Sequence, residues 1–365
     1  MQLLISLCII LIAWPTMLLA SNDVKICLTG RVEKNFPSYK QALINSVNLA
    51  VDNSDVKENI HVKSFFYDDS PLSSIDSYYE MLEDNCSAII GFEYLSDLLL
   101  VEASQQNAKI PIFTSYASGL TNTEFKENIF IFRPSYNVMS RKMIEFLIKK
   151  FGNVDSVLLV TQVSRDSMKE YKSAYTNQFD KLNIKYDTFD FVENDSELTD
   201  KFIKYLDTTK KKYKFIFLLS GAIDSVNIAN VIEDKDPVII GTENFGSSNA
   251  ASFYLRLTDK EKQIYFIRNL DFLNADAELT SFGDMYTETY LSKPLLISAY
   301  TYDATQIILK SYEEFGEITL TSIRKLNYKG ITGVKINQGQ FNNSAKYIIL
   351  KSTNIGYEKS YEALS

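Results

Sequence analysis

The segment Val24-Lys25-Ile26-Cys27-Leu28-Thr29-Gly30 decides how this chain is read. Val24–Leu28 is a short strand-forming run, Gly30 ends it, and Tyr39, Ala42, Leu43, Val47 and Ala50 then fall on one helical stripe. A strand that stops on a small residue and gives way to an amphipathic helix is the first half of a βαβ unit. The pattern repeats outward. Ile60–Phe66, Ala88–Ile90, Ile110–Thr114 and Ile129–Phe132 read as further strands, separated by the stripes Ile75, Tyr78, Tyr79, Leu82 and then Leu99, Ala103, Gln106. A second series has strands at Ser156–Val160, Lys185–Phe191, Phe215–Leu219 and Val238–Ile240. Its helices carry Met139, Met143, Phe146, Leu147, then Met168, Tyr171, Tyr175, Phe179, Leu182, then Leu198, Phe202, Leu206. Alternation of this kind buries parallel strands under helices on both faces, and two series predict an α/β protein of two doubly wound lobes.

Small or turn residues recur where the strands should end: Gly30, Gly91, Ser115, Ser220-Gly221 and Gly241. That carboxyl edge is where open α/β sheets bind ligands, because its loops expose backbone N–H groups and helix N-termini. After the long helical pattern Leu296–Phe315, strands are expected at Gly333–Ile336 and Tyr347–Lys351, with Gly339 and Asn342-Asn343 turning between them. A hairpin there fits a chain that returns to complete its first lobe.

Length and charge narrow the function. A chain of 365 residues exceeds one ordinary core, which agrees with two lobes. A net charge of −8 without a basic stripe argues against nucleic acid, and Lys210-Lys211-Lys212 reads as a solvated helix end. Residues 1–20 are almost purely apolar from Leu3 to Ala20, and charged sequence begins at Asn22-Asp23. This is the pattern of a secretory signal peptide cut near Ala20 or Ser21; the alternative is an uncleaved anchor. Export would leave Cys27 and Cys86 in an oxidising compartment. They sit on or beside strands that can be neighbours, so either a disulfide or two buried thiols fits. A bridge closing that loop stabilises by about 4 kcal/mol in the chain-entropy model.

Catalysis finds little support. His61, the only histidine, lies in a strand segment; no nucleophile elbow, Gly-rich phosphate loop or metal-spaced cluster is present, and Asp68-Asp69 point apart. The expectation is a binder without enzymatic activity, cofactor or metal.

Motifs along nearly the whole mature chain carry a resemblance. In order they are Leu28-Thr29-Gly30 with a helix ending Asn48-Leu49-Ala50-Val51, Phe66-Tyr67-Asp68-Asp69-Ser70-Pro71, and Ala88-Ile89-Ile90-Gly91 with Ser96. Then follow Ile110-Pro111-Ile112, Thr114-Ser115-Tyr116-Ala117-Ser118, Phe132-Arg133-Pro134, Tyr302-Asp303-Ala304 and Gly330-Ile331-Thr332-Gly333. Each is weak alone, but in this order and spacing the chain resembles the type I periplasmic binding proteins, specifically the branched-chain amino-acid (Leu/Ile/Val) binding family of ABC transporters. The resemblance implies three interlobe crossings, a hinge, and a cleft that closes like a Venus flytrap. It implies one lobe of residues 22–136 plus 266–342 and another of 137–265 plus 343–365. It further implies an exported, periplasmic or extracytoplasmic monomer that captures a small polar ligand, an amino acid or related compound, for a membrane permease. The alternative role is a sensory or protein-interaction module that kept the fold.

By the same resemblance, Ser96 (or Leu95 in its place) helps hold a ligand carboxylate, Ala117 and Ser118 offer backbone groups and a hydroxyl, and Glu243 meets a ligand ammonium. The chain also departs from the family. Asn137 and Val138 stand where an acid is expected, and Gly221-Ala222 where an aromatic is expected. Tyr116 and Tyr136 are the rings available to replace it. The ligand is therefore expected to differ from an ordinary amino acid.

Overall fold

The computed structural model describes residues 23–32, 37–68, 70–105, 110–115, 117, 126–233, 236–243, 256–259, 261–272, 275–343, 347–353 and 356–363. The expectations for the first 20 residues, Tyr116 and Ser118 lie outside them.

The first sheet has the order β2-β1-β3-β4-β5, all parallel, from β1 (Val24–Arg31), β2 (Ile60–Tyr67), β3 (Ala88–Ile90), β4 (Ile112–Thr114) and β5 (Ile129–Ile131). Helices α1 (Pro37–Asp52), α2 (Ser73–Glu83) and α3 (Leu95–Ser104) connect the first four strands. After α4 (Tyr136–Phe151), a second sheet is laid down by β6 (Val157–Gln162), β7 (Tyr186–Phe191), β8 (Phe215–Leu219), β9 (Val238–Gly241) and β10 (Ile264–Arg268). The helices α5 (Asp166–Lys181), α6 (Leu198–Thr209) and α7 (Ala222–Val231) lie between them. Then come α8 (Ala277–Tyr290), α9 (Leu296–Phe315) and α10 (Leu320–Lys325), followed by β11 (Tyr328–Lys329), β12 (Lys335–Asn337), β13 (Gln340–Asn342), β14 (Tyr347–Thr353) and β15 (Gly356–Ala363).

Burial follows position in the sheet. The central strands β8 and β6 read Phe-Ile-Phe-Leu-Leu and Val-Leu-Leu-Val-Thr-Gln and are buried throughout. The edge strands β2 and β7 mix exposed polar residues with apolar ones that are buried or half-buried, as strands with one uncovered side do. His61 is one of the exposed residues on β2, beside Asp23.

Two corrections concern the returning chain. Strand β10 runs parallel to β9 inside the second sheet, so a lobe boundary between residues 265 and 266 would cut a strand; the crossing falls after Arg268. The expected hairpin is also divided. Strand β12 pairs with β11 and β13 in a three-stranded sheet on the first lobe, where Tyr328, Val334 and Ile336 share a core with Tyr300 and Ile26. Strand β14 instead pairs antiparallel with β10 and β15 in the second sheet. Both segments carry strand-like patterns, and periodicity alone does not say which sheet a strand joins.

The lobes meet through three crossings, after β5, after β10 and after β13. Asn343 in the third donates to the carbonyls of Ile131 and Arg133 in the first, at 3.2 Å each. Cys27 on β1 and Cys86 before β3 form a disulfide with Cα atoms 5.9 Å apart.

Candidate functional site

The site is built from strand ends. Strand β1 finishes on Arg31, and β3 is followed by Gly91, whose backbone approaches Thr29 so closely that a Cβ would collide with it. Phe92 follows in the left-handed region at φ 56°, turning the chain so that Glu93 and Tyr94 lead into α3. This turn places Ser96 and Asp97 in the first turn of α3, opposite Arg31. Arg31 grips the fully buried Asp97 with Nε at 2.8 Å and with a second guanidinium nitrogen. That second nitrogen also donates to Ser96 Oγ at 2.9 Å, and the guanidinium lies 4.4 Å from the Tyr94 ring centre. Tyr67 donates to the same carboxylate at 2.5 Å. Burial and the neighbouring Asp97 charge hold the Tyr67 phenol far above its usual range, so it remains a donor.

Along the same edge, Ala117 donates its N–H to Thr114 Oγ1 at 3.3 Å. Buried Glu93 accepts from the Ser115 N–H, and Ser115 Oγ lies 3.0 Å from Thr301 Oγ1 on α9. Ser96 and Ala117 do stand at the carboxyl edge, but each already has a protein partner.

Arg133, immediately after β5, is the centre of the junction. It pairs with Glu243, which follows β9 on the other sheet, and both side chains are at least 95% buried, at 2% and 5% exposure. A second Arg133 nitrogen donates to Tyr136 Oη at 3.0 Å, and the Tyr136 ring packs on Tyr171, 3.9 Å between centres. Removing one partner of such a buried pair costs about 3–5 kcal/mol, because the other charge is left without compensation. Two expectations change here. Glu243 is occupied by a cation of the chain itself, and Tyr136 is a core residue of the second lobe rather than a ring facing ligand. Asn137, half-buried in the first turn of α4, stands one residue past this junction.

The second lobe's edge repeats the motif of an arginine beside an acid. Arg165 pairs with Glu193 across the ends of β6 and β7, and Arg268 lies 3.4 Å from Asp271 just after β10. Burial raises the Asp224 carboxyl above its ordinary value at the start of α7, with Arg165 opposing the rise. Gln162 accepts from the Gly221 N–H at 3.0 Å. Its amide nitrogen and the hydroxyls of Thr161 and Thr242 are buried and have no hydrogen-bond partner among the described residues.

The sequence reading missed Arg31, Asp97, Arg165, Glu193 and Gln162. Arg133 was quoted there as a motif residue without a role. An available signal was the recurrence of arginine at or just past a strand end, at residues 31, 133, 165 and 268, in a chain whose cations are otherwise mostly lysine. A groove of about 700 Å³ opens at the opposite, amino edge of the first sheet, between Cys86, Pro111, Tyr312 and Arg324. Its lining includes the exposed Arg324–Glu127 pair, and none of the strand-end residues described above reaches it.

No protein-family model and no curated protein matches the sequence. Solved structures do match the fold. A leucine-binding protein from Thermotoga maritima superposes with a TM-score of 0.74 at 15% identity, over 93% of this chain and 98% of that one. A branched-chain amino-acid transporter substrate-binding protein from Streptococcus pneumoniae, in complex with isoleucine, gives 0.72 at 17% identity over 94% and 99%. A solute-binding protein of an ABC transporter from Rhodopseudomonas palustris, in complex with 3,4-dihydroxybenzoic acid, gives 0.74 at 12% over 93% and 97%. Two doubly wound lobes, three crossings and these superpositions give the chain the fold of the type I periplasmic binding proteins.

Proposed function

We propose that the chain is an extracytoplasmic solute-binding protein that closes its two lobes on a small polar ligand and delivers it to the permease of an ABC importer. The observation that carries this reading is the polar junction between the carboxyl edges of the two sheets, where Arg133 of the first crossing meets Glu243 beyond β9. The superpositions, which span over nine-tenths of both chains, support the role. Ser96, Ala117, Ser118, Tyr116, Glu243 and Asn137 are the residues proposed to line or border the cleft. The lobes are proposed as 23–132 with 275–342, and 136–268 with 347–363.

On this reading the protein acts by binding rather than catalysis, as a monomer exported by its apolar N-terminal segment. No helix among the described residues is long and apolar enough to cross a membrane. Closure draws its free energy from contacts that exist only in the shut state.

Thermal denaturation with a panel of amino acids, amides, aliphatic acids and hydroxybenzoates tests the proposal. At least one compound should raise the melting temperature in a concentration-dependent way. A flat response across the panel, together with capture of a protein partner by the ligand-free chain, would favour the sensory or interaction role.

A further inference from the structure

The amino edge of the second sheet gathers cations from three separate stretches of sequence. Helices α4, α5 and α6 lead into the parallel strands β6, β7 and β8, so the ends of these helices and the turns after them share one corner of that edge. Lys185 stands one residue before β7 and Lys214 one residue before β8, and they flank Ser156, which precedes β6 between them. Ser156 accepts the Lys214 N–H at 2.9 Å and donates its hydroxyl to the Lys212 carbonyl at 2.9 Å. Lys210-Lys211-Lys212, a solvated helix end by sequence, is thereby tied to the same corner as Lys181 in the last turn of α5 and Lys149-Lys150 in the last turn of α4.

The acids within these stretches leave an excess of positive charge. Residues 149–156, 180–187 and 207–214 hold eight lysines and four aspartates. Asp187 takes Lys211 at 2.8 Å, and Asp155 lies 4.0 Å from Lys214. Lys181, Lys185, Lys210 and Lys212 are exposed and have no ion pair or side-chain hydrogen bond among the described residues. Glu233, Asp236, Asp259 and Glu261 precede β9 and β10, so the basic corner ends at β8. Beside Lys149 and Lys181 stand two aliphatic side chains turned to solvent, Ile148 at 42% exposure and Leu182 at 49%. A helix C-terminus attracts lysines in its last turn, which accounts for Lys149, Lys150 and Lys181 but not for Lys185, Lys212 or the aliphatic pair.

We propose that this β7–β6–β8 corner of the second lobe rests on an anionic phospholipid surface. Each lysine close to such a surface strengthens partitioning about fivefold. The net charge of −8 does not prevent the contact, because charges more than about 8 Å away are largely screened at physiological ionic strength. Aliphatic side chains enter the headgroup layer of a bilayer, whereas a soluble polyphosphate or nucleic acid gives them no apolar surface to join; the pair therefore favours a membrane. The amino edge lies opposite the carboxyl edge, so the contact leaves the proposed cleft free.

Co-sedimentation of the mature chain, without its apolar N-terminal segment, tests the proposal. The vesicles are equal parts phosphatidylglycerol and phosphatidylcholine, or phosphatidylcholine alone. The protein should bind the anionic vesicles, ignore the neutral ones, and release as ionic strength rises from about 0.1 M to about 0.5 M. A variant carrying Lys181→Gln, Lys185→Gln, Lys210→Gln and Lys212→Gln should bind at least about tenfold more weakly, with an unchanged urea midpoint. Ile148→Ser with Leu182→Ser leaves the charge intact and should weaken binding about threefold. No sedimentation with anionic vesicles at low ionic strength, or equal binding by the quadruple variant, overturns the proposal. So does unchanged vesicle binding by the serine pair together with displacement by free polyphosphate, which would assign the corner to a soluble polyanion. None of these results depends on a ligand in the cleft, so the solute-binding role stands or fails separately on the thermal-shift panel.

Discussion

Two buried acids in this molecule are satisfied in opposite ways. Asp303, on α9, accepts from Tyr328 Oη at 2.7 Å, Thr332 Oγ1 at 2.5 Å, and the N–H groups of Thr332 and Ile331 at 2.9 and 3.0 Å. All of these donors are neutral and belong to the same lobe. Gly330 presses so close to the Asp303 carboxyl that any side chain there would strike it. Glu243 is met instead by a guanidinium from the first interlobe crossing. The first arrangement is a lock within one folded unit. The second ties two units at their junction. Both Asp303 and Arg133 stood in motifs that carried the family resemblance, yet one holds a single lobe together and the other joins the two.

The contrast can be broken most severely at the junction. Arg133→Ala should lower stability by about 4 kcal/mol in urea denaturation, since Glu243 would be left charged and buried. The double variant Arg133→Met with Glu243→Leu should recover most of that loss. If the single and double variants lose the same amount, the pair is not the source of the effect.

Next in size is the lock. Asp303→Ala strands several donors at once and should cost about 3 kcal/mol. Its effect on ligand affinity, measured on the folded fraction, should be small, because no donor to Asp303 comes from the second lobe. A large affinity change with little loss of stability would erase the distinction between the two acids.

Ser96→Ala should do the reverse. The Arg31–Asp97 pair survives it, so stability should fall by only about 0.5–1 kcal/mol while affinity for the ligand found in the panel drops about tenfold. Equal affinity in the variant would assign Ser96 to the support of Arg31 alone.

The smallest expected effect lies on the surface. Hydrogen bonds from Lys25 and Lys63 hold the Asp84 carboxyl below its ordinary value of 3.8, and Lys211 does the same for Asp187. Because the folded-state values are depressed, this stabilisation is complete above the ordinary value and disappears as pH falls below it through the folded values. Added salt should weaken it further, unlike the junction pair. A stability loss beginning already near neutral pH would point elsewhere.

Much of the fold was legible because a parallel strand covered on both faces must be an unbroken apolar run, as Phe215–Leu219 is. Helix α7 was not read, since its buried face includes Ser225, whose hydroxyl lies 2.6 Å from Ser220 Oγ and interrupts the apolar stripe. Helix α8 does carry a stripe at Leu279, Phe282 and Tyr286, and simply went unread. The strand-end location of the residues proposed for the site was legible; their hydrogen-bond partners were not. Ser96, Ala117 and Glu243 were named through the family resemblance, and the turn residues Gly91, Ser115 and Gly241 beside them marked the strand ends. Their partners lie far away in sequence: Arg31 reaches Asp97 across 66 residues and Arg133 reaches Glu243 across 110. Periodicity carries no information over such spans, so the acid expected to await an ammonium turned out to be paired already.

The most direct test of the central claim is small-angle X-ray scattering of the mature chain, with and without the tightest-binding member of the probe panel at saturation. Closure of two lobes about three crossings predicts a smaller radius of gyration and a shorter maximum dimension in the liganded protein. Identical scattering curves under conditions where calorimetry shows the site filled would contradict it.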